Sequence, residues 1–275
     1  MTAQAVSARP DAPALVEARL ESVRDVGGRT FLLRLSLPGP APQPAWPALG
    51  RFAKLRAWAP PPAVPLLDRP FSIHRSAPGQ VEFLIRRLGP ATAALTAARP
   101  GQAVRLTGPL GRGLEGTAEL AAGRLHLAAG GAGLAPMASI MERLGAGARL
   151  FYGERTAEAQ VDLAWLQSWA GEVEAAVEDG RGYGRRGLIV DRLDEALSHD
   201  PRPIFGCGPP GFLRALAVLA RRRQTPLLVG AEAFMACGLG VCLSCSLPLT
   251  GGGRVRVCRE GPALDGLTID WEAGR

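Results

Sequence analysis

The sequence predicts a multidomain α+β protein in three successive parts. These are an N-terminal antiparallel β-barrel over residues 13–118, an α/β parallel-sheet domain over 119–224 and a small C-terminal domain over 225–275. Three observations predict this order. As far as about Gly108, short stretches of alternating apolar and polar residues are separated by Gly-Pro clusters, the pattern of a small antiparallel barrel. From Arg124 onward, strand-like runs alternate with helical ones, which gives a parallel sheet with helices on both faces. The final segment holds four of the five cysteines and is too short to fold alone without a staple.

A chain of 275 residues with 47% hydrophobic content supports two cored domains and an appendage. Residues 1–12 read as a loose tail. Strands are expected at Val16–Val23, Thr30–Leu37, Phe52–Ala57, Val81–Arg86 and Ala103–Thr107. Pro60-Pro61-Pro62-Ala63-Val64-Pro65 cannot be a central strand and reads as a loop. In the second part the strands are Leu125–Ala129, Ala148–Tyr152, Glu172–Val177 and Pro203–Phe205. Its helices follow Pro136 to Leu144, then lie near Glu158–Trp169, Gly187–Leu197 and Gly211–Arg222. Pro226–Gly230 begins the last part, which ends in a hairpin around Gly251-Gly252-Gly253 with Arg254–Val257.

The net charge is +7, and Lys54 is the only lysine, so the basic balance is almost all arginine. Attraction to acidic partners or phosphate-rich cofactors is one reading. A compositional bias toward alanine, glycine, proline and arginine is the simpler one. Arg221-Arg222-Arg223 reads as the solvated end of a helix, where cations complement the dipole. Aromatics do not interleave with basic residues as on a nucleic-acid surface. No apolar run is long enough for a membrane span, and the N-terminal stretch lacks the apolar core of a signal peptide, so a cytoplasmic location is expected.

The cysteines are the most informative feature. Cys237, Cys242 and Cys245 are spaced C-x4-C-x2-C, and Cys258 follows after twelve residues. That is the ligand spacing of a plant-type [2Fe–2S] cluster. Three thiolates come from one loop and the fourth from a neighbouring segment, and Gly238 and Gly240 suit a loop that must wrap the cluster closely. Structural zinc competes, but it usually pairs two short knuckles. A disulfide framework is disfavoured by an odd and sparse cysteine count, and glycine-flanked thiols make poor core filler.

Three further motifs carry chemistry. Gly130-Gly131-Ala132-Gly133-Leu134-Ala135-Pro136 closes a strand and opens a helix, so Gly130, Gly131 and Gly133 are candidates to let a nucleotide phosphate approach the backbone. A glycine turn serving strand–helix packing is the structural alternative. In Arg69-Pro70-Phe71-Ser72-Ile73, an arginine able to pair a pyrophosphate stands beside a serine hydroxyl, as an extended flavin nucleotide requires. Gly206-Cys207-Gly208-Pro209-Pro210 sits at the carboxyl end of a parallel strand, facing the ligand crevice, and makes Cys207 a cofactor-site candidate; a small buried hydrophobe is the alternative. Gly108-Pro109-Leu110-Gly111 alone is an ordinary turn. His74, His126 and His199 lie in unrelated surroundings, and His126 reads as packed in a strand. No acid–base or nucleophilic machinery is evident.

In order, Arg-Pro-x-Ser, Gly-Pro-Leu-Gly, Gly-Gly-x-Gly-x-Ala-Pro and Cys-Gly-Pro resemble the ferredoxin–NADP reductase superfamily. MACGLGVCLSC followed by RVCREGPAL is similar to the electron-transfer subunits of two-subunit, NAD-linked dihydroorotate dehydrogenases, as is Val177–Gly180 leading to Gly184–Gly187. The resemblance spans about Leu15 to Leu264. It implies a FAD-binding barrel, an NAD(P)-binding sheet domain and a [2Fe–2S] domain. Carried over, Arg69, Pro70, Phe71 and Ser72 hold FAD, Leu84, Ile85 and Arg86 line the flavin site, and Cys237, Cys242, Cys245 and Cys258 ligate the cluster.

One departure stands out. Where that family has Gly-x-Gly-Thr, this chain has Gly89-Pro90-Ala91-Thr92. Ala91 adds a methyl where the backbone is expected to meet the flavin, and Pro90 removes an N–H donor, so an altered contact is expected at Ala91 and Thr92. Glu154 and Arg155 follow the second strand of the sheet and point opposite ways on NADH against NADPH. The implied activity is an electron relay. A catalytic flavoprotein partner, in a heterotetramer, oxidises dihydroorotate, and electrons pass through the cluster and FAD to NAD⁺ for pyrimidine biosynthesis. Two rivals remain. One is the NAD(P)H reductase subunit of a hydrogenase, sulfide dehydrogenase or transhydrogenase. The other is a non-enzymatic iron–sulfur redox sensor that has lost FAD.

Overall fold

The computed structural model describes residues 13–39, 46, 48–57 and 67–273. The tail expected at 1–12 and the proline loop at 60–65 lie outside the described residues.

Six antiparallel strands close the first barrel: β1 (Ala14–Asp25), β2 (Thr30–Ser36), β3 (Phe52–Ala57), β4 (Arg69–Ala77), β5 (Gln80–Arg86) and β6 (Ala103–Leu110), in the order β1-β2-β5-β4-β3-β6. Alternation along each strand sends one set of side chains inward, among them Leu33, Leu35, Ile73, Phe83, Ile85 and Leu106. Gly108-Pro109-Leu110 is strand rather than the expected turn, because Gly108 pairs with Ala14 and Leu110 with Phe52 to close the barrel. Helix α1 (Pro90–Thr96) links β5 to β6.

After α2 (Ala118–Ala121) come β7 (Leu125–Gly130), α3 (Met137–Leu144), β8 (Ala148–Glu154), α4 (Leu163–Ala170), β9 (Val173–Val177) and β10 (Arg185–Arg186). Then follow α5 (Ile189–His199), β11 (Ile204–Cys207), α6 (Pro210–Arg223), β12 (Leu227–Gly230), β13 (Ser246–Pro248), β14 (Arg254–Arg256) and β15 (Ala263–Asp265). The large sheet runs β10-β9-β8-β7-β11-β12-β15, parallel except for β15. One face packs Ala128, Phe151 and Val229 on α5 and α6, and the other packs Leu127, Leu150 and Phe205 on α3 and α4. Chain order reverses between β7 and β11, and in open α/β sheets that switch point opens a ligand crevice at the strands' carboxyl ends.

The helix expected near Glu158–Trp169 is shorter. Asp162 caps it at Leu163, its carboxylate accepting from the Trp165 N–H at 2.7 Å. The chain before it is held to the barrel instead, where the Asp162 N–H donates to the Val26 carbonyl. The sheet also continues beyond the boundary expected at 224, since β12 pairs in parallel with β11 and β15 returns from the cysteine-bearing segment to flank β12. Among the described residues no helix is long and apolar enough to cross a membrane.

Candidate redox site

A cleft of about 270 Å³ opens where the barrel, the parallel sheet and the C-terminal segment meet. β4 contributes Pro70, Phe71 and Ser72, β5 contributes Leu84 and Arg86, and Thr92 enters from α1. Opposite them stand Ala132, Ala135 and Pro136 of the turn after β7, Cys207 at the end of β11, and Met235 and Val257 beside the cluster cysteines. Arg69 and Ala91 line an adjoining open depression together with Pro70 and Thr92. Ile85 is the exception among the flavin candidates. The two-residue period of β5 turns its fully buried side chain into the barrel core.

The departure at Gly89-Pro90-Ala91-Thr92 has a structural reading. Pro90 is the first residue of α1, where its fixed φ is suited and its missing N–H is not needed. Thr92 Oγ1 accepts from the Leu88 and Gly89 N–H groups at 2.9 and 3.0 Å. Ala91 thus lies in the first turn of a helix, where a methyl costs nothing.

Arg86 reaches from the barrel into the sheet domain. Its guanidinium pairs with the buried Glu154 carboxylate at the end of β8 and donates to the Ala159 carbonyl at 3.1 Å and to Thr30 Oγ1 at 3.3 Å. The Tyr152 hydroxyl donates to Glu154 Oε1 at 2.9 Å, and burial pushes that phenol up, so it remains a donor. Glu154 is therefore committed to the domain junction and is not free to meet a ribose, while Arg155 beside it is exposed.

The glycines of the turn after β7 meet packing demands. A Cβ on Gly133 would fall 1.9 Å from the Cys207 carbonyl oxygen, and one on Gly130 would strike the Phe212 ring. Gly131 (φ +58°) faces Arg86 and Glu154. In this turn Ala132, Ala135 and Pro136, rather than the three glycines, line the cleft. Cys207 is fully enclosed, and burial pushes its thiol up, so it is an inert wall rather than a nucleophile.

The four remaining cysteines come together as two pairs, Cys237 with Cys242 and Cys245 with Cys258. A two-iron core takes two thiolates on each iron, so this donor set fits a [2Fe–2S] cluster. Among the described residues, no three His, Cys, Asp or Glu side chains close on a single-ion site. The loop's amides turn toward sulfur: the Leu239 N–H donates to Cys237 Sγ at 3.3 Å, with those of Val241 and Cys242 also aimed there. Cys242 is exposed and drawn down to about 6, first by the Ser244 hydroxyl at 3.2 Å, whereas burial and the neighbouring Cys245 push Cys258 up to about 12. The four thiols thus range from the exposed Cys242 to the buried Cys245 and Cys258.

Two features escape sequence reasoning. His74 is fully buried, its Nδ1 2.7 Å from the Ala135 carbonyl and its ring stacked on Trp165, so it joins barrel to sheet domain. Glu154 was legible as a polar residue at a strand end, but not as the partner of Arg86. His126 is packed as expected, with Nε2 2.8 Å from the Asp200 carbonyl.

A closed barrel, a parallel sheet with its crevice facing that barrel, and a cysteine loop at the same cleft define a reductase of the ferredoxin-reductase type with an appended iron–sulfur domain. Residues 232–270 match the iron–sulfur cluster binding domain of dihydroorotate dehydrogenase B. The dihydroorotate dehydrogenase B (NAD(+)) electron transfer subunit of Clostridium acetobutylicum is 30% identical over 221 residues, covering 80% of this chain and 85% of that one. That of Bacillus caldolyticus is 32% identical over 253 residues, covering 88% and 93%. Among solved structures, the NADH-dependent reduced ferredoxin–NADP oxidoreductase superposes with a TM-score of 0.74 at 19% identity, covering 94% of this chain and 91% of that one. Phthalate dioxygenase reductase does so at 0.63 and 16% identity, covering 89% and 94%. The chain belongs to the family of dihydroorotate dehydrogenase B electron transfer subunits.

Proposed function

We propose that this chain carries electrons from dihydroorotate, oxidised to orotate in a catalytic flavoprotein partner, through a [2Fe–2S] cluster and FAD to NAD⁺, in pyrimidine biosynthesis. One observation carries the reading: Met235 and Val257, which flank the cluster cysteines, line the same cleft as Ser72 and Arg86 of the barrel. The two redox sites share a wall.

Bound FAD supplies the exchange between single electrons and a hydride. The chain's own residues bind and orient. Pro70, Phe71, Ser72 and Leu84 frame the flavin. Arg69, exposed at the rim with its guanidinium 3.5 Å from the Leu67 carbonyl, is the candidate for the pyrophosphate. Arg86 is held in place by Glu154. The pyridine nucleotide is assigned to the crevice at the ends of β7 and β11, beside Ala132 and Cys207. A second cleft of about 240 Å³, lined by Gly208, Pro210 and Arg214, shares Glu232 with the first and extends that crevice. Cys237, Cys242, Cys245 and Cys258 hold the cluster. His74 and His126 are committed to carbonyls, Cys207 is sealed, and Glu232, which lines both clefts, is pushed up by burial. In this reading proton abstraction is assigned to the partner, in the heterotetramer that the family resemblance implies. A cytoplasmic location belongs to this reading, because thiolate ligands need a reducing compartment.

The purified chain is expected to show flavin and iron–sulfur absorption, to reduce a dye with NADH, and to form NADH from dihydroorotate once its partner is added. A colourless, zinc-loaded protein, or a co-purifying catalytic chain inert toward dihydroorotate, overturns the reading.

A further inference from the structure

The one lysine among 32 lysines and arginines is buried, 7% exposed, on barrel strand β3. Its neighbours Ala53 and Leu55 face the barrel core, so Lys54 points outward with Phe52, which lines the flavin cleft. The Lys54 ammonium donates to the carbonyl of Ala236 and lies 3.4 Å from that of Cys237. Both belong to the loop that carries three of the four cluster cysteines. The fit is close along the stem as well: a Cβ on Gly238 would lie 2.7 Å from Lys54 Cδ. The broader, forked guanidinium used everywhere else in the chain is a poor match for this slot.

We propose that Lys54 is a positioning and tuning residue for the iron–sulfur cluster: it seats the cysteine loop on the barrel and raises the cluster's reduction potential. Two physical effects act in the same direction. The C=O and N–H of a trans peptide point opposite ways, so drawing the carbonyls of residues 236 and 237 onto the ammonium turns the N–H groups of Cys237 and Gly238 toward the loop interior. Amide donors facing sulfur favour the reduced, more negative cluster. The fixed positive charge beside Cys237 does the same, and its burial limits screening. Because β3 also contributes Phe52 to the flavin cleft, one strand sets the placement of both redox sites. The proposal rests on the assignment of the cluster to the four cysteines.

The test is an EPR-monitored redox titration of the purified holoprotein carrying Lys54→Met, which keeps the stem and removes the charge, beside Lys54→Arg, which keeps the charge. The Lys54→Met cluster is expected to lose about tenfold in its electron-sharing equilibrium with the flavin, about 59 mV for one electron. The flavin's own potential stays in place, and Lys54→Arg remains closer to wild type. A Lys54→Met cluster at the wild-type potential overturns the tuning role. Should Lys54→Met lose its iron while keeping FAD, the seating role is supported, and wild-type protein supplies an independent measurement. With a single lysine, acetic anhydride labelling read by mass spectrometry reports Lys54 alone among side-chain amines. Lys54 is expected to label at least about tenfold more slowly in holoprotein than after chelation of the iron. Equal labelling overturns the seating. Wild-type protein with no iron at all overturns instead the cluster assignment beneath the proposal.

Discussion

At the residue scale, the buried pair of Arg86 and Glu154 ties the barrel to the sheet domain. Glu154 and Arg155 lie at the end of β8, where ribose selectivity is often set, and from sequence either could act. The fold withdraws Glu154 into a buried pair with Arg86, and only tertiary structure brings residues 86 and 154 together. Glu154→Ala strands the Arg86 guanidinium, and breaking such a pair costs about 3 kcal/mol. Urea unfolding is expected to show that loss, while the ratio of kcat/KM for NADH over NADPH stays unchanged. A change in cofactor preference at unchanged stability would return Glu154 to the ribose. The cysteines divide just as sharply. Cys242→Ser or Cys258→Ser is expected to abolish the iron–sulfur absorption, whereas Cys207→Ser keeps it, since Cys207 packs against Gly230 and away from the loop. Iron content per chain measures all three. The four candidate ligands could be named from sequence because cluster spacing is local in sequence. The flavin candidates were legible only as a strand, and Ile85 went astray because a run of apolar residues in β5 conceals which side faces the cleft.

At the element scale, the contact of β4 with α3 and α4 is set by a histidine. His74 is kept neutral by burial, its pKa lowered to about 4, with Arg75 pushing the same way. Its Nδ1–H donates to the Ala135 carbonyl at the head of α3, while Nε2 lacks a partner among the described residues. Trp165 stacks on the ring with centroids 6.0 Å apart, and Trp169 meets it edge-on at 5.5 Å. The unfolded chain takes up a proton near 6.5 that the folded one refuses until about 4. The stability contributed by neutral His74 is thus fully present above pH 6.5 and drains away as pH falls to about 4, by about 3 kcal/mol in all. His126, also lowered by burial, adds to the same trend, so a comparison isolates His74. His74→Phe keeps the ring contacts and loses the hydrogen bond. Urea unfolding from pH 7 to 4 is expected to find it less stable at pH 7 by about 1 kcal/mol, with the gap closing or reversing by pH 4. Parallel pH profiles for the two proteins would remove His74 from this role. Nothing local in sequence marks this histidine, because its environment is assembled from three elements. The start of α4 was hidden for a related reason: Asp162 is a good cap, but its competition with the helical pattern of 158–161 is decided by the hydrogen bond to Val26 across the domain junction.

At the scale of the whole molecule, the order of the sheet explains why the candidate redox sites are contiguous. β12 leaves the crevice end of the parallel sheet and leads directly into the cysteine loop, and β15 returns to pair with β12, so the cluster segment is anchored to the same sheet edge as the nucleotide crevice. The alternation of strands and helices made that sheet legible, but the final segment's return to it was not, since a three-residue edge strand carries almost no periodicity. The same anchoring leaves the far side of the loop bare. Leu239, Val241 and Leu243 are exposed on either side of the exposed Cys242 in the chain, Val241 at 79%, and Phe234, earlier in the same segment, is 85% exposed. Large exposed apolar side chains on the segment of a candidate cluster ligand are poorly explained by the isolated chain and well explained by a catalytic subunit that docks there. Phe234→Asp places a charge on that exposed segment without touching a cysteine or the cleft. Losing an aromatic anchor costs about 2 kcal/mol of association, roughly thirtyfold in Kd. NADH formation from dihydroorotate, titrated with the partner subunit, is expected to need correspondingly more partner for half-maximal rate, while NADH-dependent dye reduction by the chain alone is unchanged. If the partner titration of Phe234→Asp matches wild type, the partner docks elsewhere, and the exposed face of the cysteine loop has another use.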